Sequence, residues 1–217
     1  MTAAKIPTAI LISGRGSNMM SLVAASRAAD YPAKIVAVIS NRPDAPGLAW
    51  AAGEGLAIRA IDHRAYASRQ AFEAELDQVL VGVGAELIAQ AGFMRLLTAG
   101  FVDKWAGRIV NIHPSLLPAF KGLRAHEQAL AAGVRISGCT VHYVIADMDA
   151  GPIVAQAAVP VVTGDTVETL SERILAAEHR LYPMALAMVA HKTQNGGCDR
   201  DSEPINQTSV LFSPAIG

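Results

Sequence analysis

The sequence predicts an α/β fold: a Rossmann-like, doubly wound, mostly parallel sheet with an antiparallel C-terminal strand pair and a long C-terminal helix. Three observations predict it. Short β-branched apolar runs alternate with helical periodicities from residue 8 to residue 113, the pattern of a parallel sheet wrapped on both faces. Two longer strand-like runs, 139–146 and 153–162, are separated only by 147–152, too short for a crossover helix, so they should pair antiparallel. Residues 166–189 then read as one long helix.

The elements follow in order. Residues 8–13 (TAILIS) read as a buried strand, 14–18 (GRGSN) as a tight turn, and 19–29 as a helix. Residues 34–40 form a second strand, closed by the turn signal Asn41-Arg42-Pro43-Asp44. A short helix near 47–53 and a short strand near 56–61 come next. Across 66–81, Phe72, Leu76, Val79 and Leu80 recur at helical spacing, and Arg69 is expected opposite that apolar face. Residues 86–91 make a brief strand, and a helix over 98–105 leads into 108–118 (RIVNIHPSLLP).

In that stretch Ile109, Val110 and Ile112 favour a buried strand, and Pro114 biases His113 toward an extended backbone. Asn111 and His113 then share one face at a strand end, where open α/β sheets place their ligands. Residues 119–124 read as loop and 126–132 as a short helix ended by Gly133. In the last helix Asp165 is placed to cap, Glu168 to return the capping box, and Pro183 to introduce a kink. From Lys192 onward the periodicity is lost, which predicts a weakly ordered tail over 192–217.

Composition narrows the partners. Of 217 residues 52% are hydrophobic, enough for a sizeable core, and 18 basic against 19 acidic residues leave a net charge of -1. That balance gives no electrostatic case for nucleic acid or an anionic membrane. Cys139 and Cys198 are too few for a disulfide framework, so a reducing cytoplasm is expected. The first residues lack a signal-peptide pattern, and no apolar run approaches the ~18 residues of a membrane span.

The candidate chemistry is spread along the chain. The 14–18 turn, between strand and helix, suits an anion held by backbone N–H groups and by the helix start. Ser17 and Asn18 add side-chain donors that a phosphate monoester could use. As a dinucleotide fingerprint the turn is partial, because Met19 stands where a third glycine would fall. A dinucleotide and an ordinary glycine turn both stay open. Asp149, ahead of Gly151-Pro152, also suits a simple turn. His142 fits a core or wall position, and helical spacing does not settle where Glu178 and His179 face. Histidines do not recur at zinc-type spacing, so no metal is expected.

Together ISGRGSN (12–18), FMRLL (93–97), NIHPSLLP (111–118) and DAGP (149–152) resemble, in order and approximate spacing, the glycinamide ribonucleotide formyltransferase family. The resemblance spans roughly residues 6–190, with Ala150 standing where many relatives have a second glycine. It implies transfer of the formyl group of 10-formyltetrahydrofolate to the amine of phosphoribosylglycinamide, in purine synthesis. The attack would be direct, through a tetrahedral oxyanion held by Asn111 and His113, with Asp149 tuning the histidine. The resemblance further implies substrate phosphate on Gly16, Ser17 and Asn18, with Glu178 touching the same substrate. Folate would lie along Met94, Arg95, Leu96 and Leu97 and reach Asn111, its glutamate end near Arg69. The expected protein uses folate as cosubstrate and no metal. It takes small molecules but no nucleic acid or membrane, and is a cytoplasmic monomer or homodimer. One domain over 1–191 is expected, with a phosphate-binding half over about 6–107 and a catalytic and folate half over about 108–191.

Overall fold

Strand β1 (Ile6–Ile12) shows why two helical layers are needed. Its Ile6, Ile10 and Ile12 join one hydrophobic cluster, and its Ala9 and Leu11 join another. A strand apolar on both faces is buried only if helices cover each side. The computed structural model, which describes residues 4–196, supplies both layers. After β1 come α1 (Ser17–Ser26), β2 (Ala33–Ser40), α2 (Pro46–Gly53), β3 (Ile58–Ala60) and a 3-10 turn (His63–Ala65). Next are α3 (Arg69–Gly82), β4 (Leu87–Gln90), α4 (Ala99–Lys104) and β5 (Ile109–His113). The chain continues through α5 (Ala125–Ala131), β6 (Ile136–Tyr143), β7 (Ile153–Pro160) and α6 (Val167–Gln194).

The strands form one sheet in the order β3-β2-β1-β4-β5-β6-β7. Pairing is parallel from β3 to β5, as the alternation predicted, and antiparallel for β6–β7, as the short 147–152 link predicted; β5–β6 is antiparallel as well, which neither signal stated. Met19 and Leu22 of α1 pack with Ile174, Leu181 and Leu186 of α6 on one face. Phe72, Leu76 and Leu80 of α3 pack with Phe101 and Trp105 on the other. Each large side chain so buried contributes roughly 1.5–3 kcal/mol. Tyr182 pins α6 across the sheet, its hydroxyl 2.9 Å from the Gln90 carbonyl and 3.2 Å from that of Val110.

Several local expectations change. α3 begins at Arg69, later than expected, because Ser68 caps it by accepting the Ala71 N–H at 3.1 Å. Arg69 is not opposite the buried face. It precedes Phe72 and Glu73 by three and four residues, so it continues their stripe one turn beyond the core, where it is exposed. α6 is capped by Thr166, whose hydroxyl accepts the Thr169 N–H at 3.3 Å. Thr169, not Glu168, returns the box by accepting the Thr166 N–H at 2.9 Å. Asp165 pairs instead with Arg173 at 2.7 Å. α6 also continues to Gln194, beyond the expected end at 189 and into the segment read as tail. Residues 197–217 of that segment lie outside the described residues. β6 starts and ends three residues earlier than read. The chain leaves it where Gly151 approaches Tyr143 so closely that a Cβ would lie 1.8 Å from the Tyr143 carbonyl oxygen.

Candidate active site

β5 and β6 bring the expected side chains together and add one more. Their register sets Asn111 opposite His142 and His113 opposite Thr140. His113 Nδ1 lies 3.3 Å from Asp149 Oδ2, and His142 Nε2 lies 3.6 Å from Asp149 Oδ1. Asn111 Nδ2 is 3.3 Å from His142 Nε2, so four side chains form one continuous cluster. Burial lowers the His142 pKa, favouring the neutral ring. Its Nδ1 then donates to the Tyr143 carbonyl at 2.9 Å, and its Nε2 accepts from Asn111. His142 was read as wall. It is wall, but one that holds the Asn111 amide. The alternation of Thr140 and His142 with apolar neighbours was the available signal.

His113 is more constrained than the sequence suggested. Its Nε2 lies 2.9 Å from the Phe120 carbonyl, so both ring nitrogens already face acceptors. Asp149 has φ 50, the left-handed region that Asn and Asp tolerate best, and its Oδ2 also accepts the Gly122 N–H at 2.8 Å. The loop over the cluster carries further left-handed residues, Phe120 (φ 55), Gly122 (φ 75) and Arg124 (φ 62). For the non-glycine residues this costs roughly 1–2 kcal/mol each, which the loop's contacts must offset. Beneath it, Thr140 donates to the Ser115 carbonyl at 2.7 Å and accepts the Leu117 N–H at 3.0 Å. Gln156 reaches the Leu117 carbonyl at 2.9 Å. Ser115 is fully buried and donates to Ala119 O at 2.6 Å, a structural role.

The glycine turn after β1 has the expected form. Gly16 has φ 72 at the start of α1 and no side chain caps that end, so the first-turn N–H groups stay open to an anion. Ser17 is half-buried beside them. Asn18 departs from expectation: its side chain is buried, and its amide donates to Glu178 Oε2 at 2.7 Å. Asn18 Oδ1 is buried with no partner among the described residues. Glu178 faces inward and ties α6 to α1. Burial pushes its pKa up to about 7, against the opposing pull of the Asn18 hydrogen bond.

Segment 93–97 runs irregularly from β4 toward α4, clamped near both ends. Met94 N–H donates to Ser13 Oγ at 2.8 Å, and Thr98 N–H donates to the buried Glu73 at 2.7 Å. Neither Ser13 nor Glu73 was singled out from the sequence. Between the clamps Met94 and Leu96 are 68% and 56% exposed, an apolar ledge in the open. Leu97 packs partly against the core, and Arg95 keeps a buried Nε with no partner among the described residues. Arg69 stands exposed at the start of α3. Among the described residues no group of acidic, His and Cys side chains could hold a metal.

Comparison with known proteins adds to this geometry. Residues 6–186 match the formyl transferase family. Over 186 residues the chain is 52% identical to the trifunctional purine biosynthetic protein adenosine-3 of Gallus gallus, covering 86% of this chain and 18% of that protein. The chain thus spans about a fifth of that relative's length. It is 39% identical over 181 residues to the phosphoribosylglycinamide formyltransferase of Escherichia coli K12, covering 83% of this chain and 85% of the relative. A solved structure of the phosphoribosylglycinamide formyltransferase of Brucella melitensis superposes with a TM-score of 0.83 at 49% identity, covering 86% and 96% of the two chains.

Proposed function

Because this chain belongs to the formyl transferase family, we propose that it transfers the formyl group of 10-formyltetrahydrofolate to the amine of phosphoribosylglycinamide, a step of purine synthesis. The observation that carries the reading is the Asn111–His142–Asp149–His113 cluster at the carboxyl end of β5. It is flanked by the anion-accepting turn of α1 and the apolar ledge of 94–97. A flat heteroaromatic with an anionic tail fits that ledge, whose exposed Met94 and Leu96 adjoin the unpartnered Arg95 nitrogen. Phosphate would settle on the first-turn N–H groups at Gly16, Ser17 and Asn18, with Glu178 near the same substrate. Arg69 would meet the glutamate end of the folate.

As the amine attacks, negative charge grows on the formyl oxygen. When that oxyanion collapses, the formyl carbon's bond to the folate nitrogen breaks, and the proton lost by the amine ends on that nitrogen. The Asn111 amide, aimed by His142, donates to the oxyanion directly. His113 Nε2 joins only by giving up the Phe120 carbonyl, so the substrate must displace that contact. Each such donor is typically worth about 10²–10³ in turnover. Asp149, 3.3 Å from Nδ1, keeps the ring oriented. No covalent enzyme intermediate is required, and Ser115 is sealed away from the site. The net charge of -1 suits a small-molecule enzyme. Among the described residues no helix is long and apolar enough to cross a membrane. We place it in the cytoplasm, as a monomer or homodimer.

The test is a formyl-transfer assay with and without phosphoribosylglycinamide. Deformylation of the folate should depend on that acceptor and yield formylated product. Deformylation at the same rate without it would identify a hydrolase and sink the reading.

A further inference from the structure

Glu73 is a buried carboxylate that the transfer chemistry leaves unused. It is 4% exposed, shares the buried stripe of α3 with Phe72, Leu76 and Leu80, and makes no ion pair among the described residues. Burying a charge without a cation is costly unless strong donors meet it. Both of its donors come from Thr98: the backbone N–H at 2.7 Å on one carboxylate oxygen, and the hydroxyl on the other. That hydroxyl also accepts the Phe101 N–H at 3.4 Å. One threonine therefore closes the irregular segment after β4, caps α4 and ties both to α3.

The ledge depends on that tie. At its other end the Met94 N–H is held by Ser13, whose hydroxyl donates to Asn41 Oδ1 at 2.5 Å. Between the two ends, the backbone N–H and C=O groups of Arg95, Leu96 and Leu97 make no hydrogen bond among the described residues. Leu97 packs partly inward, while Met94 and Leu96 stand in the open. The course of the ledge is thus set chiefly by its end clamps, and these join it to different things. Ser13 joins it to the end of β1. Glu73 joins it to α3, which also carries Arg69. Arg69 lies one turn, about 6 Å, nearer the start of that helix, on the side of the carboxyl end of β3.

We propose that Glu73 is a positioning residue that fixes the spacing between the 94–97 ledge and Arg69, and so matches the site to the length of the folate. The proposal rests on the formyl-transfer reading, which puts the folate ring on the ledge and its glutamate at Arg69. Without the Thr98 contacts, α3 and the ledge can shift against one another, and a donor seated at one end loses its fit at the other. A carboxylate suits the task because its two oxygens accept both Thr98 donors, and such charge-assisted bonds are roughly twice as strong as neutral ones.

The experiment compares KM for 10-formyltetrahydrofolate with KM for the same donor lacking its glutamate, 10-formyltetrahydropteroate. In wild type the glutamate should lower KM about tenfold or more, the size of one charge-assisted hydrogen bond, and Arg69→Ala should abolish that advantage. Glu73→Ala should cut the advantage to about twofold or less, and adding Arg69→Ala should then lower it no further. Glu73→Gln should restore most of it, because the amide oxygen accepts the Thr98 N–H and the amide nitrogen donates to the hydroxyl. Thr98→Val removes only the hydroxyl contact and should lose part of the advantage, which keeps the test decisive if Glu73→Ala does not fold. KM for phosphoribosylglycinamide should hold throughout, which also reports an intact site. A Glu73 that only supports the core would instead lower Tm and shift KM for both donors by one factor, leaving the advantage intact. That outcome overturns the proposal, as does an undiminished advantage in Thr98→Val or Arg69→Ala, or no advantage in wild type. A wild type that transfers formyl from neither donor removes the functional reading as well, whereas normal transfer with an unmoved advantage removes only the role of Glu73.

Discussion

Two enclosed carboxylates, the half-buried Asp149 and the buried Glu178, are treated differently. Asp149 accepts the Gly122 N–H and lies beside two imidazoles, one of which orients the Asn111 amide. Each member of that cluster meets a complementary partner. Among the described residues Glu178 has one donor, Asn18, whose own Oδ1 meets no partner. There burial outweighs the hydrogen bond, and the carboxyl rises to about 7. A buried polar group without full partners is costly, so the second region is one that a proton or a ligand must complete. The first is already complete and need only exchange one contact, Phe120 on His113, to act.

The largest expected effect comes from breaking the first region at its centre. Asp149→Asn keeps an acceptor for Gly122 and tolerates the left-handed backbone, but removes the charge beside His113. Turnover should fall roughly 10²–10⁴-fold, the range for a positioned acid–base group, while both KM values move much less. Near-normal turnover with both substrates saturating would return Asp149 to the role of a turn residue.

A smaller loss is expected at His142. Its ring spans from the Tyr143 carbonyl to the Asn111 amide, and glutamine cannot hold both contacts with the same rigidity. His142→Gln should lower kcat about 10–100-fold through misplacement of Asn111, with KM little changed. A raised KM with unaltered kcat would make His142 a wall and nothing more.

The contrast between the regions also explains what could be read from sequence. The βα alternation and the short 147–152 link carry the topology, because parallel and antiparallel pairings differ in the length of connection they need. Asn111 and His113 were legible because two residues on one strand share a face. For His142 the alternation with apolar neighbours showed only a shared face with Thr140; its place opposite Asn111 depends on the β5–β6 register, which no local pattern states. Arg69 was misplaced although its spacing to Phe72, Glu73 and Leu76 contained the answer. Glu178 was likewise available, since Leu170, Ile174, Leu181 and Ala185 leave it as the polar gap in a buried stripe. The Thr166 cap shows the remaining limit: Asp165 and Thr166 both qualify by type, and only backbone geometry selects between them.

The smallest effect should come from Glu178, and its sign separates the two regions. The carboxyl's ordinary value is 4.5 and burial raises it to about 7, so the folded state holds a proton that the unfolded chain has released. Its contribution to stability is therefore fully present below about pH 4.5 and is lost as pH rises through 7. The whole swing is at most about 3 kcal/mol, or several degrees in Tm for a chain this size. Glu178→Gln stays neutral, can accept from Asn18, and brings an N–H for the unmet Asn18 Oδ1. The variant should melt with wild type near pH 5 and above it near pH 8, with the gap opening between. If Glu178 also contacts the phosphoribosyl substrate, its KM should rise in the same variant while the folate KM holds. A melting difference independent of pH would show that Asn18 and the surrounding dipoles already neutralise the cost of burial, and the contrast with Asp149 would disappear.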